Sequence, residues 1–326
     1  MSDTAKIAAV VIGRNEGARL VACLTSLAGQ VAQIVYVDSG STDQSVQAAR
    51  DLGAQVVELS PDRPFTAARG RNAGFEALKK SGDLPEFVHF FDGDCIVESG
   101  WVAQAVTALQ ADETCGIITG WRSEIHPERS IYNALCDFEW HRPAGDILTC
   151  GGDMAVRSVA FEEAGGFDPS VIAAEDDEFC IRLRKAGRKI HRLPEKMTRH
   201  DADMTRFGQW WQRAIRSGHG FAQVGTMHPP YFSKERRRVM VFGGVLPGIA
   251  LIGMAWSAWV VAAVIGLYAV SYLRTVKGLV TDGLPKDTAR QQAAFLSLSK
   301  FPNIIGMMVF AWRRLRGRKM RIIEYK

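Results

Sequence analysis

Two aspartates, Asp92 and Asp94, end the apolar stretch EFVHFFDGDCI with only Gly93 between them. In an extended backbone, side chains two residues apart point the same way, and two close carboxylates are costly unless a cation neutralises them. Carboxylate oxygens suit Mg²⁺ or Mn²⁺, and such an ion in an α/β protein most often serves a diphosphate. The pair therefore predicts a divalent-metal site. An Asp-Gly-Asp turn that faces solvent is the alternative.

A sheet is needed to position this pair. Short apolar runs rich in Val, Ile and Phe, without strict alternation, are typical of strands covered on both faces. Between them lie helix-like segments, of which STDQSVQAARDLG has a Ser/Thr start and a glycine stop. This alternation predicts an α/β fold with a mostly parallel sheet flanked by helices. The predicted strands are 7–12, 34–37, 55–59, 87–91 and 116–119, and the predicted helices are 18–28, 43–52, 66–80 and 101–110.

Three acids follow predicted strands directly. Asp92 and Asp94 follow the run 87–91, and Asp38 follows the run 34–37. Open α/β sheets bind ligands beyond the carboxyl ends of their strands. We therefore expect the three carboxylates to line one edge of the sheet.

Composition separates the chain into two parts. With 47% apolar and 23% charged residues the whole is typical of a globular protein. Residues 1–230 carry 24 Lys+Arg and 31 Asp+Glu (−7), whereas residues 231–326 carry 16 and 4 (+12). The six cysteines lack CxxC spacing and are interpreted as reduced core residues. The start MSDTAKIAAVVIG does not resemble a secretion signal, so the first part is expected in the cytoplasm.

The change in character near residue 230 predicts a first domain over 1–230 and a helical, membrane-associated region over 231–326. Residues 239–273 carry no formal charge, and one straight helix of that length would span about 52 Å, beyond the roughly 30 Å hydrocarbon core. Pro247 and the basic flanks favour a hairpin with both ends cytoplasmic. Whether this segment spans the bilayer or dips into it stays open, and a buried hairpin in a soluble domain is the alternative.

The C-terminal stretch FPNIIGMMVFAWRRLRGRKMR joins apolar residues to six cations. Such a segment favours an anionic membrane surface, here the cytoplasmic face of the cell membrane. Aromatic residues are sparse between the cations, so no nucleic-acid partner is expected.

Six motifs follow one another along the chain: VVIGRNE (10–16), VDSGSTD (37–43), ARGRNAG (68–74), FFDGD (90–94), GGDMAVRSVAFEEAGGFD (151–168) and EDDEFCIRLRKAG (175–187). Together they resemble a family 2 glycosyltransferase with the Rossmann-like GT-A fold, of the membrane-associated bacterial polysaccharide or glycolipid type. The resemblance covers residues 7 to about 222 and rests on the order and spacing of all six motifs.

The resemblance implies a site for a nucleotide-sugar and a divalent metal, Mn²⁺ or Mg²⁺. Asp94 would be the direct metal ligand, and Asp92 would contact the ribose and the metal. His200, beyond these motifs, is a candidate for a third ligand because imidazole suits Mn²⁺, and a structural role is the alternative. Asp38 would hold the uracil or ribose end and Arg71 would lie near the base or phosphates. The implied nucleotide-sugar residues are Gly13, Asn15, Glu16, Asp38, Arg71, Asp92, Gly151 and Gly152.

Inverting transfer also needs a base that deprotonates the acceptor hydroxyl. Asp176 matches the catalytic position of the family, and Glu175 beside it would orient the acceptor. The alternative is that these acids only complement a helix N-terminus, which is worth about 0.3 to 1 kcal/mol. Trp210, Trp211 and Arg213 loosely resemble the QxxRW-type motif of processive synthases and are acceptor candidates, with core or membrane-interface roles as alternatives.

The sequence therefore predicts an inverting, metal-dependent hexosyltransferase of family 2. We expect it to move a sugar from a nucleotide-diphosphate donor, a UDP-sugar, to a lipid-linked or growing glycan in cell-surface polysaccharide synthesis. The alternatives are a nucleotidyltransferase that acts on sugar phosphates and a non-catalytic, membrane-bound relative that binds sugar or nucleotide. A dinucleotide-binding GxGxxG and a P-loop motif are both absent from the sequence.

Overall fold

In the computed structural model, which describes residues 6–82, 84–318 and 320–323, nine strands form one mixed sheet. The strands are β1 (Ile7–Gly13), β2 (Ile34–Asp38), β3 (Gln55–Glu58), β4 (Phe87–Asp92), β5 (Cys95–Val97), β6 (Cys115–Glu124), β7 (Gly145–Asp146), β8 (Met154–Arg157) and β9 (Lys189–His200). The helices among them are α1 (Ala18–Leu27), α2 (Ser45–Asp51), α3 (Ala67–Lys80), α4 (Trp101–Ala111), α5 (Ile131–Trp140), α6 (Ser158–Glu163) and α7 (Glu175–Lys185).

The strand order is β3-β2-β1-β4-β8-β6-β9-β5, and β7 also pairs with β9. The first four strands run parallel, and β8 then pairs antiparallel with both β4 and β6. In the parallel part, β1 places Gly13 opposite Asp38 and Ile12 opposite Asp92. The α/β fold is confirmed, and Asp38 and Asp92 do leave the sheet at one edge.

Helices cover both faces of this sheet, which explains the near-continuous apolar strands. Along β1, Ile7, Ala9 and Val11 pack into the core beneath α1 and α4. The alternate residues Ala8 and Val10 pack into the core beneath α3, α6 and α7. The strands are therefore fixed from two sides, and their carboxyl ends form a rigid edge.

Helix α3 lies close to the sheet. The hydroxyl of Thr66 accepts a hydrogen bond from the Arg69 backbone N–H at 3.1 Å and so caps the helix start. One turn apart, Gly70 and Gly74 face β1, and a Cβ on Gly74 would overlap the side chain of Val10. This close contact positions α3 against the sheet.

The chain forms two compact units. The first comprises residues up to 127 and 136–203, and the second comprises residues 128–135 and those from 204 onward. The predicted domain boundary at residue 230 lies inside the second unit and stays a prediction. The helices of the second unit are α8 (Phe207–Met227), α9 (Ser233–Met240), α10 (Leu246–Gly253), α11 (Ala258–Thr281), α12 (Lys286–Leu298) and α13 (Lys300–Leu315), with a π-helical turn over Val241–Val245.

Helices α8 and α13 cross with their backbones in contact. A Cβ on Gly218 would overlap the backbone of Asn303, and a Cβ on Gly306 would overlap the carbonyl oxygen of Ile215. Two stretches, Ala258–Thr281 and Lys286–Leu315, are long and apolar enough to be candidate membrane-associated segments. Length and composition alone make them candidates.

Candidate active site

The clearest candidate for a metal centre is the pair formed by Asp94 and His200. Antiparallel pairing places Cys95 of β5 opposite His200 of β9, which brings the residue before Cys95 to the imidazole. The Oδ1 atom of Asp94 lies 3.1 Å from Nε2 of His200, and both side chains are buried. The structure therefore joins two of the three predicted metal ligands.

The chemistry of this pair suits a divalent cation. Potential ligand atoms of Asp94, Cys95 and His200 lie within 4.8 Å of one another. Burial raises the pKa of the Cys95 thiol well above its usual value, and this thiol donates a hydrogen bond to Asp153, so Cys95 is a poor ligand. Within the described part of the chain, buried Nδ1 of His200 has no hydrogen-bond partner. A carboxylate and a neutral imidazole fit Mn²⁺ well.

Asp92 pairs with arginines and not with the Asp94–His200 pair. The expectation that the Asp92 and Asp94 side chains point the same way is therefore wrong. The backbone is not extended past β4, because residues 93–94 form a turn before β5. The Asp92 carboxylate lies 2.8 Å from Nη2 of Arg71 and 3.8 Å from Nη2 of Arg122. Two guanidinium groups therefore neutralise Asp92, and its metal contact stays a prediction.

Arg71 connects this strand end to the acidic helix start. Its Nη1 donates to Oε1 of Glu175 at 2.8 Å, while its Nη2 donates to Asp92. Burial alone would lower the pKa of Arg71, but the two carboxylates raise it above its usual value. The guanidinium also lies 5.4 Å from the ring centroid of Phe167. The predicted nucleotide contact of Arg71 stays a prediction, because its observed partners are protein carboxylates.

The acidic start of α7 contains the predicted base. Ala174, directly before the helix, adopts a left-handed conformation with φ 59°, which is uncommon for a residue with a Cβ. Burial and the neighbouring carboxylates of Glu175 and Asp177 raise the pKa of Asp176 to about 8. Glu175 is buried against Arg71, so the geometry indicates that it holds Arg71. Its predicted acceptor contact stays a prediction.

The predicted glycine pair lines the gap between Arg71 and Asp176. A Cβ on Gly152 would stand 2.0 Å from Nη2 of Arg71, whereas a Cβ on Gly151 would meet only Oδ2 of Asp176, at 3.9 Å. The absence of a side chain at 152 therefore makes room for the guanidinium.

Gly152→Ala is accordingly expected to destabilise the protein by about 1–3 kcal/mol, the usual cost of overpacking. The new methyl group must push Arg71 away from Asp92 and Glu175. Urea denaturation followed by circular dichroism measures this loss. Gly151→Ala is the matched control and should change the free energy of unfolding by less than about 0.5 kcal/mol. Equal effects of the two substitutions would contradict the packing described here.

The loops after β1 and β2 are joined by hydrogen bonds. Asn15, which has φ 56°, accepts from the Thr42 backbone N–H at 2.7 Å, and its own N–H donates to the Ser41 hydroxyl at 2.8 Å. Glu16 lies beside Gly13 and Gly93 and pairs with Arg19 at 2.8 Å. The structure thus brings Gly13, Asn15 and Glu16 to the predicted edge, and their nucleotide contacts stay predictions.

Asp38 is occupied within its own turn. Its carboxylate accepts hydrogen bonds from the Tyr36 hydroxyl and from the backbone N–H groups of Gly40 and Ser41, at 2.8–2.9 Å, and only 2% of the residue is exposed. These contacts give Asp38 a role in shaping the loop. Its predicted contact with uracil or ribose stays a prediction.

Three further residues, Arg122, Asp153 and Trp140, make contacts that the sequence did not predict. Buried Asp153 accepts from Nε of Arg122 at 3.0 Å, from the Thr198 hydroxyl at 2.9 Å and from the Asp92 backbone N–H at 3.3 Å. Burial alone would raise the pKa of Asp153, but Arg122 lowers it below its usual value. Through Asp153, these hydrogen bonds fix the backbone at Asp92. The feature of the sequence that points to Asp153 is its position in the GGDMAVR motif.

Trp140 joins this network to the candidate metal pair. The Arg122 guanidinium lies 5.2 Å from the Trp140 ring centroid, and the His200 ring packs edge-on against Trp140 at 4.7 Å. The side chain is partly exposed. No sequence motif marks Trp140 or Arg122, because only the folded sheet brings them to His200.

The three acceptor candidates belong to the second unit. Trp210 is 6% exposed and packs against Tyr132 and Phe295, so it contributes to the core of that unit. Trp211 and Arg213 are partly exposed on α8. An acceptor role for these residues stays a prediction.

Comparison with known proteins agrees with this architecture. Residues 9–165 match the family model described as Glycosyl transferase family 2. The chain is 24% identical over 314 residues to the pre-mycofactocin glycosyltransferase of Mycobacterium tuberculosis H37Rv, a match that covers 90% of this chain and 63% of that protein. It is 25% identical over 189 residues to the O-antigen chain rhamnosyltransferase WbaN of Salmonella anatum, covering 54% of this chain and 58% of that protein. The chain thus spans less than two thirds of the length of these relatives.

Among solved structures, the mannosyltransferase PcManGT of Pyrobaculum calidifontis, in complex with GDP-Man and Mn²⁺, superposes with a TM-score of 0.59 at 19% identity. The match covers 95% of this chain and 88% of that one, and at this identity it supports the fold alone. The family match and the fold agree with the resemblance carried by the six motifs. The chain therefore contains a glycosyl transferase family 2 domain with the GT-A fold.

Proposed function

We propose that the protein is an inverting, metal-dependent glycosyltransferase that moves a sugar from a nucleotide-diphosphate donor to a lipid-linked or growing glycan. The observation that carries this proposal is the double ion pair of Arg71, which ties Asp92 at the end of β4 to Glu175 at the start of α7. It unites the strand end that carries the acids with the helix that carries the proposed base. Direct displacement of a nucleoside diphosphate requires a metal that stabilises the leaving group and a base that deprotonates the acceptor, both at one site.

Asp94 and His200 would hold the divalent metal, Mn²⁺ or Mg²⁺. Such an ion, when bound, draws negative charge from the phosphate oxygens and stabilises the departing diphosphate. Asp153 and Arg122 keep the strand end rigid, and Trp140 limits the movement of the His200 ring. These residues would preserve the position of the ligand pair between turnovers.

Asp176 would act as the general base. The acceptor oxygen attacks the anomeric carbon, the bond from that carbon to the phosphate oxygen breaks, and the electron pair leaves with the diphosphate. The proton of the acceptor hydroxyl passes to the Asp176 carboxylate. A raised pKa makes this carboxylate a stronger base once it is ionised, which favours the transfer.

The proposed donor is a UDP-sugar, an inference that rests on the family resemblance. The PcManGT complex contains GDP-Man, so guanine nucleotides are the competing class. The proposed acceptor is membrane-linked, in cell-surface polysaccharide synthesis, and the basic second unit would keep the enzyme at the cytoplasmic face of the cell membrane. The two candidate membrane-associated segments and the relative that acts on O-antigen support this part of the proposal.

A donor screen tests the proposed function. The purified full chain is incubated with UDP-, GDP- and other nucleotide-sugars in Mn²⁺, in Mg²⁺ and in EDTA, and released nucleotides are separated by chromatography. We expect release of a nucleoside diphosphate that requires the metal. Pyrophosphate release would identify a nucleotidyltransferase, and metal-dependent nucleotide binding without any sugar release would identify a non-catalytic relative.

A further inference from the structure

Helices α9, α10 and α11, with the π-helical turn and the turn over 254–257, form a helical hairpin over residues 233–281. Two contacts fix its register: the Tyr268 hydroxyl donates to the Phe242 carbonyl oxygen, and Val260 packs against the Cα of Gly253. The two limbs therefore run antiparallel. The chain reverses between Gly253 and Ala258, and we call residues 249–259 the hairpin tip.

The hairpin tip exposes large apolar side chains. Trp256 is 86% exposed and Trp259 is 84% exposed. Leu251, Ile252 and Met254, which precede them, are each about 65% exposed. A contiguous apolar surface of this kind indicates a binding surface for an apolar partner.

The opposite end of the hairpin is cationic. Arg237 and Arg238 of α9 are exposed, as are Arg274 and Lys277 of α11. Arg238 precedes Phe242 by four residues and Arg274 follows Tyr268 by six, so the register places both at the same end, away from the tip. An apolar tip with a cationic base matches a bilayer, whose hydrocarbon lies beneath anionic headgroups.

The length of the hairpin sets the depth of insertion. At about 1.5 Å per residue, the limb from Phe242 to Gly253 is about 16 Å long and the limb from Val260 to Tyr268 is about 12 Å long. The backbone of Lys300 packs against Gly243, one residue inside the first limb. The Tyr272 hydroxyl, four residues past Tyr268, donates to the Arg290 carbonyl oxygen at 3.2 Å. In the limbs themselves the first charged side chains follow about 6–9 Å further on, Arg238 before Phe242 and Arg274 after Tyr268, and placing them in hydrocarbon is costly.

The limbs between the two register contacts and the tip, about 12–16 Å long, match one leaflet, about half of the roughly 30 Å hydrocarbon core. The whole uncharged reach, about 21–22 Å over Val239–Gly253 and Ala258–Leu273, is also shorter than that core. Full crossing would draw Lys300, Arg238 and Arg274 into the hydrocarbon. We propose that the hairpin enters a single leaflet from its cationic base and turns back inside the bilayer, so that residues 239–273 do not cross the membrane. This inference rests on the membrane association in the proposed function and defines its form.

Cysteine labelling tests the insertion. The six native cysteines are all buried, so a membrane-impermeant maleimide can report a single introduced thiol in the full chain. Ala255→Cys marks the hairpin tip and Lys277→Cys marks the base, where both residues are exposed. We expect Lys277→Cys to react in opened membranes and Ala255→Cys to react only after detergent. Labelling of Ala255→Cys from outside intact cells would show crossing, and labelling in opened membranes without detergent would show a tip in water; either would overturn the proposal.

Tryptophan quenching gives a second measurement that needs no cysteine variant. With vesicles of phosphatidylcholine and phosphatidylglycerol, bromines near the bilayer centre should quench the wild-type chain more than bromines near the headgroups do. The extra quenching should be lost in the Trp256→Phe/Trp259→Phe variant. The reverse order of quenching, or none, would overturn one-leaflet insertion. Sugar transfer is assayed separately from insertion. If the tip is protected from the maleimide but the protein transfers no sugar, the glycosyltransferase proposal is rejected and the insertion proposal is not.

Discussion

Asp94→Ala is expected to lower metal-dependent transfer by at least about a hundredfold. Asp94 supplies the carboxylate oxygen that lies 3.1 Å from Nε2 of His200. Without it, a divalent metal would lose its anionic ligand, and the diphosphate would depart with its charge unscreened. A hundredfold loss corresponds to about 2.7 kcal/mol of transition-state stabilisation, within the range expected for one electrostatic group.

Calorimetry separates this loss from misfolding. Titration of Mn²⁺ and nucleoside diphosphate into the wild-type chain should give binding that Asp94→Ala lacks, while the circular dichroism spectrum stays unchanged. Asp51→Ala, which removes an exposed carboxylate at the end of α2, is the matched control and should retain both binding and transfer. Wild-type metal affinity in Asp94→Ala would remove Asp94 from the metal site.

Asp176→Asn is expected to lower transfer by at least about a hundredfold while nucleotide binding is retained. The amide keeps the shape of the side chain and removes its ability to accept the acceptor proton. Asp177→Asn is the matched control, since it removes a carboxylate from the same turn of α7. Its transfer rate at pH 9 should stay within about twofold of wild type. Full activity of Asp176→Asn would reject the assignment of the base.

The pH profile gives an independent measurement of the same role. Because the base must be ionised and its pKa is raised to about 8, kcat/KM should increase tenfold per pH unit below that value and reach a plateau above it. Removing the Asp177 charge weakens one cause of the raised pKa, so the inflection in Asp177→Asn should move to lower pH. The inflection should be absent from the residual rate of Asp176→Asn. A wild-type profile that is flat from pH 6 to 9 would contradict this role.

The strands and the helix starts could be predicted because their signals are local. The apolar run 87–91 and the following acids predict the end of β4, and Thr66 marks the start of α3, as the structure confirms. These two inferences need only periodicity, caps and spacing. That Arg71, Asp92 and Glu175 belong to one site was implied by the family resemblance of the six motifs.

The partners of each side chain could not be predicted in the same way. The direction of Asp92 depends on a two-residue turn, which separates it from Asp94. Arg122 reaches Asp153 only because β6 pairs with β8, and Trp140 reaches His200 only through tertiary packing. The antiparallel strands that make these contacts lie far apart in the chain, and no local signal sets their register.

The contact between Gly218 and Asn303 and between Gly306 and Ile215 bears on where the second unit can be stable. Helix backbones in van der Waals contact are held by dispersion forces. These forces act in lipid as well as in water and do not require the expulsion of solvent. The α8–α13 pair is therefore suited to both surroundings. A helix pair of this kind can remain intact where one of its sides contacts water and the other contacts lipid.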